Sequence, residues 1–175
     1  MRRSRAPRQV RAEGLTVRAA QASDGPALRL LWRELDRVHG ELQPGFFRAA
    51  PLPRPPGELV ARLADPSQAL LVAERGGVVV GAVRVQVLAG PRNGWARARP
   101  RGYLDDLIVA ADERRAGVGQ ALVRAAIEAC RARGAEQVVL TVWEGNAAAD
   151  RVYRRLGFRA ANRVLALDLD ASAAG

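Results

Sequence analysis

Arg114-Arg115-Ala116-Gly117-Val118-Gly119 places two guanidinium groups and a Gly-x-Gly turn directly before a helical run. The first turn of a helix leaves backbone N–H groups without partners and carries partial positive charge, so it suits a phosphate group. Glycines at 117 and 119 remove β-carbons that would hold a phosphate away from the backbone. Arg114 and Arg115 add charged donors. Two other phosphate loops are excluded. A dinucleotide fingerprint needs a third small residue where Leu122 stands, and a nucleotide triphosphate loop needs Gly-Lys-Ser/Thr in a chain that has no lysine. Taken alone, Gly-x-Gly equally describes a glycine-rich helix start with solvated arginines.

Other chemically able residues lie on either side of this loop. Asp105 and Asp106 sit in the preceding strand, where alternation points them to opposite faces. Thr141-Val142-Trp143-Glu144-Gly145-Asn146 leads into Ala149, Tyr153, Gly157 and Phe158. With one cysteine, Cys130, and one histidine, His39, neither a disulfide framework nor a Cys/His metal site can be assembled, and no metal is expected. Cys130 reads as a small buried helix residue and His39 as a helix-end or surface group. The chain lacks G-x-S-x-G, which disfavours a serine hydrolase.

The elements that must position these residues follow from periodicity. Leu15–Ala20 reads as a strand, with Ser23 or Asp24 an N-cap before Pro26. Leu28, Leu31, Trp32, Leu35, Val38 and Leu42 then mark one face of a helix running to about His39. Residues 40–57 hold four prolines before Pro56 and the pair Phe46-Phe47, a loop with apolar anchors, and a short helix with Leu59, Val60 and Leu63 follows. Ala69–Glu74 and Val78–Leu88 form a hairpin across Arg75-Gly76-Gly77. Ala89–Arg101 is a long connection of the kind that often borders a site. Tyr103–Val109 is a strand and Gly117–Arg133 a helix ending at Gly134. Gln137–Trp143 is an apolar strand, Ala147–Leu156 a helix, and Val164–Leu169 a final strand. The order β-α-α-β-β-β-α-β-α-β predicts an α/β single domain with a mixed, mostly antiparallel sheet.

The strand Leu104-Asp105-Asp106-Leu107-Ile108-Val109, the R-x-x-G-x-G at Arg114–Gly119 and the N-x-x-A-x-x-V-Y-x-x-x-G-F at Asn146–Phe158 together resemble the GNAT superfamily of acyl-CoA-dependent N-acetyltransferases. The motifs cover roughly 103–158, and the element order from 15 to 169 is that of the fold. The resemblance implies parallel, splayed strands at 103–109 and 137–143, with helices on both faces and acetyl-CoA as acetyl donor. Its pantetheine arm would lie between the strands. Backbone groups of Leu107, Ile108 and Val109 would pair with that arm and bind the thioester oxygen. The amides of Arg115, Ala116, Gly117, Val118, Gly119 and Gln120, beside Arg114, would hold the pyrophosphate. Asn146 would contact pantetheine, and the Tyr153 hydroxyl would lie near the sulfur.

The same resemblance assigns chemistry: direct attack of an amine on the thioester. An alkyl amine with a pKa near ~10.4 must first lose a proton. Asp105 is the candidate base, where resembling enzymes often carry a glutamate acting through an ordered water. It competes evenly with a reading of both aspartates as strand-end charges paired to arginines. Tyr153 is the candidate acid for the departing thiolate; read without the motif, it would be a core aromatic. The proline that the family often has two residues after the strand's valine is here Ala111. His39 has a secondary place beside the acceptor, with Phe46, Phe47 and the 89–101 loop.

Composition bounds the rest. The net charge is +10, with Arg2, Arg3, Arg5, Arg8 and Arg11 in the first eleven residues. Residues 1–14 therefore read as a basic, disordered tail and 15–170 as the acetyltransferase domain. Basic charge invites nucleic acid, but all-arginine usage with abundant Ala, Gly and Pro reads as codon bias, so that partner is disfavoured. No apolar run approaches the ~18 residues that span a bilayer, and no secretory signal precedes the domain, so no membrane partner and a cytoplasmic location are expected. The expected function is acetyl transfer to a primary amine of a small molecule, in a chain able to form a homodimer. N-terminal or side-chain acetylation of a protein and a non-catalytic acyl-CoA sensor remain alternatives.

Overall fold

A computed structural model of the chain describes residues 14–48, 55, 57–90 and 99–167. Five strands lie in the sheet in chain order: β1 (Leu15–Ala19), β2 (Gln68–Arg75), β3 (Val78–Leu88), β4 (Arg101–Val109) and β5 (Gln137–Leu140). The pairings β1–β2, β2–β3 and β3–β4 are antiparallel and β4–β5 is parallel. The helices are α1 (Gly25–Leu42), α2 (Glu58–Ala64), α3 (Val118–Ala132) and α4 (Ala147–Arg155). None among the described residues is long and apolar enough to cross a membrane.

The sheet is apolar on both sides because helices cover both. On β2, Ala69, Leu71 and Ala73 enter one core, closed by Val118, Ala121, Leu122, Ala125 and Ala129 of α3. The intervening Leu70 and Val72 enter the other, closed by Leu28, Leu31, Trp32 and Leu35 of α1. Each such aliphatic side chain contributes about 1.5–3 kcal/mol when fully buried. These are the apolar faces that the helical spacing predicts.

Four expectations change in detail. Asp24 occupies the N-cap position of α1, but its side chain does not cap that helix. The carboxylate instead takes a two-pronged bond from Arg18, at 2.7 and 2.9 Å, and the Gln21 N–H at 2.8 Å, which ties β1 to the helix start. Second, α1 continues past His39 to Leu42, and Gln43 N–H closes on His39 O at 2.9 Å. Third, β5 ends at Leu140, three residues short of the expected Trp143. Fourth, residues 164–167 form no strand, and Val164, Leu165 and Leu167 are exposed. Alternation shows that a segment could cover a sheet, but it supplies no partner strand. The expected tail (residues 1–13), 91–98 in the long connection, and Asp168 and Leu169 lie outside the described residues.

One irregularity in β4 decides where the site's side chains point. Ala82 pairs with Ile108 and Arg84 with Asp105, so Asp106 and Leu107 together oppose the single residue Val83. That is a β-bulge, and Asp106 takes the left-handed conformation at φ 50°. Leu104 consequently belongs to the α3 core and Ile108 to the α1 core, although four residues apart they would share a face in a regular strand.

Candidate active site

The cleft begins where the parallel pairing stops. β4 and β5 are in register from Arg101–Gln137 to Leu104–Leu140. Beyond that rung β4 continues for five residues to Val109, while the other chain turns away through Thr141–Asn146. On its other side β4 stays paired with β3 as far as Gly81–Val109, so only the edge towards the departed chain is open. Leu107, Ile108 and Val109 lie along that open edge, as the splayed arrangement requires.

At the end of β4 the chain builds a concave row of donors. Arg115 has φ 68° and Gly117 φ 82°, two left-handed residues separated by Ala116. Such alternation turns successive N–H groups towards one point. Among the described residues, the amides from Arg115 to Gln120 have no acceptor; the first to regain one is Ala121, on Gly117 O at 3.0 Å. A β-carbon at Gly117 would meet nothing within 4 Å, so the hollow is open. The arginines divide their tasks. Arg114 is committed to Glu34 of α1 at 2.8 Å and to Val109 O at 3.2 Å, whereas exposed Arg115 has no ion-pair partner among the described residues.

Across the cleft, Asn146 caps α4. Its Oδ1 accepts the Ala149 N–H at 3.1 Å, which leaves the side-chain nitrogen to donate elsewhere. Two helical turns later Tyr153 is only 7% exposed and packs its ring 5.7 Å from that of Phe158. Phe158 is held there by its own N–H on Tyr153 O at 3.1 Å. No described residue hydrogen-bonds the Tyr153 hydroxyl. Burial, and secondarily the charge of Asp105, push its pKa up to about 12. The structure thus brings Tyr153 and Asp105 within electrostatic reach across the cleft.

The two aspartates are not on opposite faces. The bulge turns Asp106 back, and both carboxylates meet one guanidinium: Arg84 Nη2 donates to Asp105 at 3.1 Å and Arg84 Nε to Asp106 at 3.1 Å. Arg62 of α2 adds a bond to Asp106 at 2.8 Å. Arg84 was not among the sequence-derived candidates, although a lone arginine between Val83 and Val85 is a readable signal of a buried partner. His39, by contrast, does join Phe46 and Phe47, with ring centroids of His39 and Phe47 4.9 Å apart. Cys130 is buried against Gly102, and burial raises its thiol to about 11, which suits packing and not nucleophilic attack. Among the described residues no group of three His, Cys, Asp or Glu could hold a metal ion.

Comparison with known proteins bears on this architecture. Residues 32–158 match the acetyltransferase (GNAT) family, and the chain belongs to it. Over 96 residues it is 38% identical to the mycothiol acetyltransferase of Thermobispora bispora, a stretch covering 54% of this chain and 30% of that protein. The chain spans less than a third of the length of the curated relatives it matches. Among solved structures, a mutant of the BH1408 protein of Bacillus halodurans superposes with a TM-score of 0.81 at 22% identity, covering 87% of this chain and 98% of the other. An aminoglycoside acetyltransferase from an uncultured soil metagenomic sample gives 0.68 at 21% identity, with 89% and 95% covered. At these identities the two structures share the fold.

Proposed function

We propose that the chain is an N-acetyltransferase that moves an acetyl group from acetyl-CoA directly to a primary amine of a small molecule. The observation that carries this reading is the end of β4–β5 pairing at Leu104–Leu140. It leaves the edge of Leu107–Val109 open between the amide hollow at 115–120 and Tyr153. When bound, acetyl-CoA supplies an activated thioester, and the residues present fit it. The hollow's unsatisfied amides and Arg115 match a pyrophosphate. The strand edge matches the amides of an extended arm, and Ile108 and Val109 polarise the thioester carbonyl.

The remaining groups move protons. Asp105 takes the proton from the incoming amine through water, with Arg84 fixing its orientation. As the C–N bond forms and the C–S bond breaks, the Tyr153 hydroxyl protonates the departing sulfur. With a pKa of about 12 the phenol keeps its proton at any physiological pH. Holding amine and thioester together provides much of the acceleration. The names of the mycothiol and aminoglycoside acetyltransferases support a small-molecule acceptor.

The test is an assay of the purified chain with acetyl-CoA against a panel of small amines and peptides with free N-termini, following release of free CoA. Release with at least one small amine is expected. Release with peptides only would move the activity to proteins. CoA binding without release for any acceptor would leave a sensor.

A further inference from the structure

We propose that His39, Phe46, Phe47 and Trp143 form a subsite for the aromatic ring of the acceptor, making arylalkylamines the preferred substrates. The turnover part of this inference rests on the acetyl-transfer reading above. The four rings form a connected group. His39 stacks on Phe47 at 4.9 Å, Phe46 meets Phe47 at 5.0 Å, and Trp143 lies 4.8 Å from Phe46 and 5.0 Å from Phe47. None of the four belongs to either hydrophobic core. Phe46 is 71% exposed, an open aromatic surface next to rings already fixed in place.

Its location is what points to the acceptor. The group joins the end of α1 to the turn that leads from β5 into α4, and Gln43 Nε2 clips the two by donating to Glu144 O at 3.1 Å. Trp143 O in turn accepts the Asn146 N–H at 3.1 Å, so the ring cluster and the start of α4 form one unit. α1 covers the face of the sheet to which Arg84, Asp105 and Asp106 project, whereas Tyr153 belongs to the opposite core. The rings, at the end of α1, and the Asp105 carboxylate thus lie on the α1 side of the sheet, with the rings beside the turn where the chain leaves β5.

The chemistry of the group selects the occupant. An aromatic ring can add to it edge-on or offset-stacked at ordinary centroid separations. A polyhydroxylated amine would strip water from hydroxyls that the rings cannot pair.

The experiment compares 2-phenylethylamine and glucosamine as acceptors for the full chain, and titrates 2-phenylethylamine calorimetrically in the presence of CoA. The expected kcat/KM for 2-phenylethylamine exceeds that of glucosamine by about tenfold or more. Phe46→Ala should raise its KM by up to about tenfold, with the acetyl-CoA KM unchanged and a smaller loss for glucosamine. Trp143→Leu should act in the same direction. Equal use of glucosamine, or equal losses for both amines in Phe46→Ala, overturns the subsite. Calorimetric binding that is lost in Phe46→Ala, with no turnover of any amine, keeps the subsite and removes the enzyme reading. Turnover of glucosamine with no binding of 2-phenylethylamine does the reverse.

Discussion

β4 is nine residues long and β5 four, and they share only the rungs from Arg101–Gln137 to Leu104–Leu140. β4 is paired along its whole length with β3 and is packed by α1 on one side and α3 on the other. β5 is the last strand of the sheet, and its residues are half-buried or exposed. The two walls of the cleft are built differently, and they contribute different things. The β4 wall offers backbone groups, from Leu107 through the amides ending at Gln120, held by a strand supported on both faces. The β5 wall offers side chains, Asn146 and Tyr153, delivered through a turn and a short helix. On the reading proposed above, donor binding rests on main-chain geometry on the firm side, which also carries the base Asp105, while the acid Tyr153 stands on the lightly buttressed side.

Removing the chemical group from the β5 wall should give the largest effect. Tyr153→Phe is expected to lower kcat by about a hundredfold or more with the acetyl-CoA KM unchanged, measured by steady-state release of CoA. Because the phenol titrates only at about 12, the wild type should show no alkaline limb from Tyr153 up to pH 10. A limb near pH 8–9 that vanished in the variant would contradict that assignment. A smaller effect of the opposite kind is expected on the β4 side. Gly117→Ala puts a β-carbon on a residue at φ 82°, a cost of about 1–2 kcal/mol. The strain turns the amides out of line, so the acetyl-CoA KM should rise about fivefold or more while kcat holds. If kcat fell and KM held, the division of labour between the walls would be wrong.

The last prediction compares the walls on a single rung, Gly102 of β4 against Val138 of β5. A β-carbon at Gly102 would lie 2.8 Å from Cys130 Cβ, so either the strand or α3 must move. Gly102→Ala should cost about 2 kcal/mol and lower Tm by about 4–8 °C. Val138→Ala, on the half-buried side, should cost about 1 kcal/mol. Thermal melts of the two variants decide the matter, and an equal or reversed order would mean that β5 is as firmly held as β4.

Legibility in the sequence follows the same division. The amide hollow occupies consecutive positions, so Arg114–Gly119 could be picked out, although alone it equally described a glycine-rich helix start until the Asn146–Phe158 motif was read beside it. Tyr153 was singled out by its place in the N-x-x-A-x-x-V-Y motif; read without that motif it is a core aromatic, and the structure does bury it. Arg84 and Trp143 were missed as site residues because their roles depend on partners 21 and more than 90 residues away, as the Arg84–Asp105 bond and the Phe46–Trp143 contact show. The fold's helices and first four strands follow from long periodic runs. The end of β5 does not, because the apolar run continues through Trp143 and only the parting of the chains stops the pairing. The helix over 147–156 was legible from its own capping residue, Asn146, whereas alternation at 164–167 does not reveal that these residues stay outside the sheet.

The extra residue at Asp106 gives β4 two phases, like a sentence read in one frame to its middle and in the next frame after it. Upstream of it Leu104 is read into the α3 core; downstream Ile108 is read into the α1 core. Substituting Asp106 changes a charge and a turn preference but keeps the count. Deleting it would leave Leu107 opposite Val83 and Ile108 opposite Ala82 in regular alternation, on the sides they now occupy, and would remove only the left-handed turn and the carboxylate that meets Arg84 and Arg62. The insertion is thus the means by which a second carboxylate is added beside Arg84 while the pairing of its neighbours with β3 goes on undisturbed.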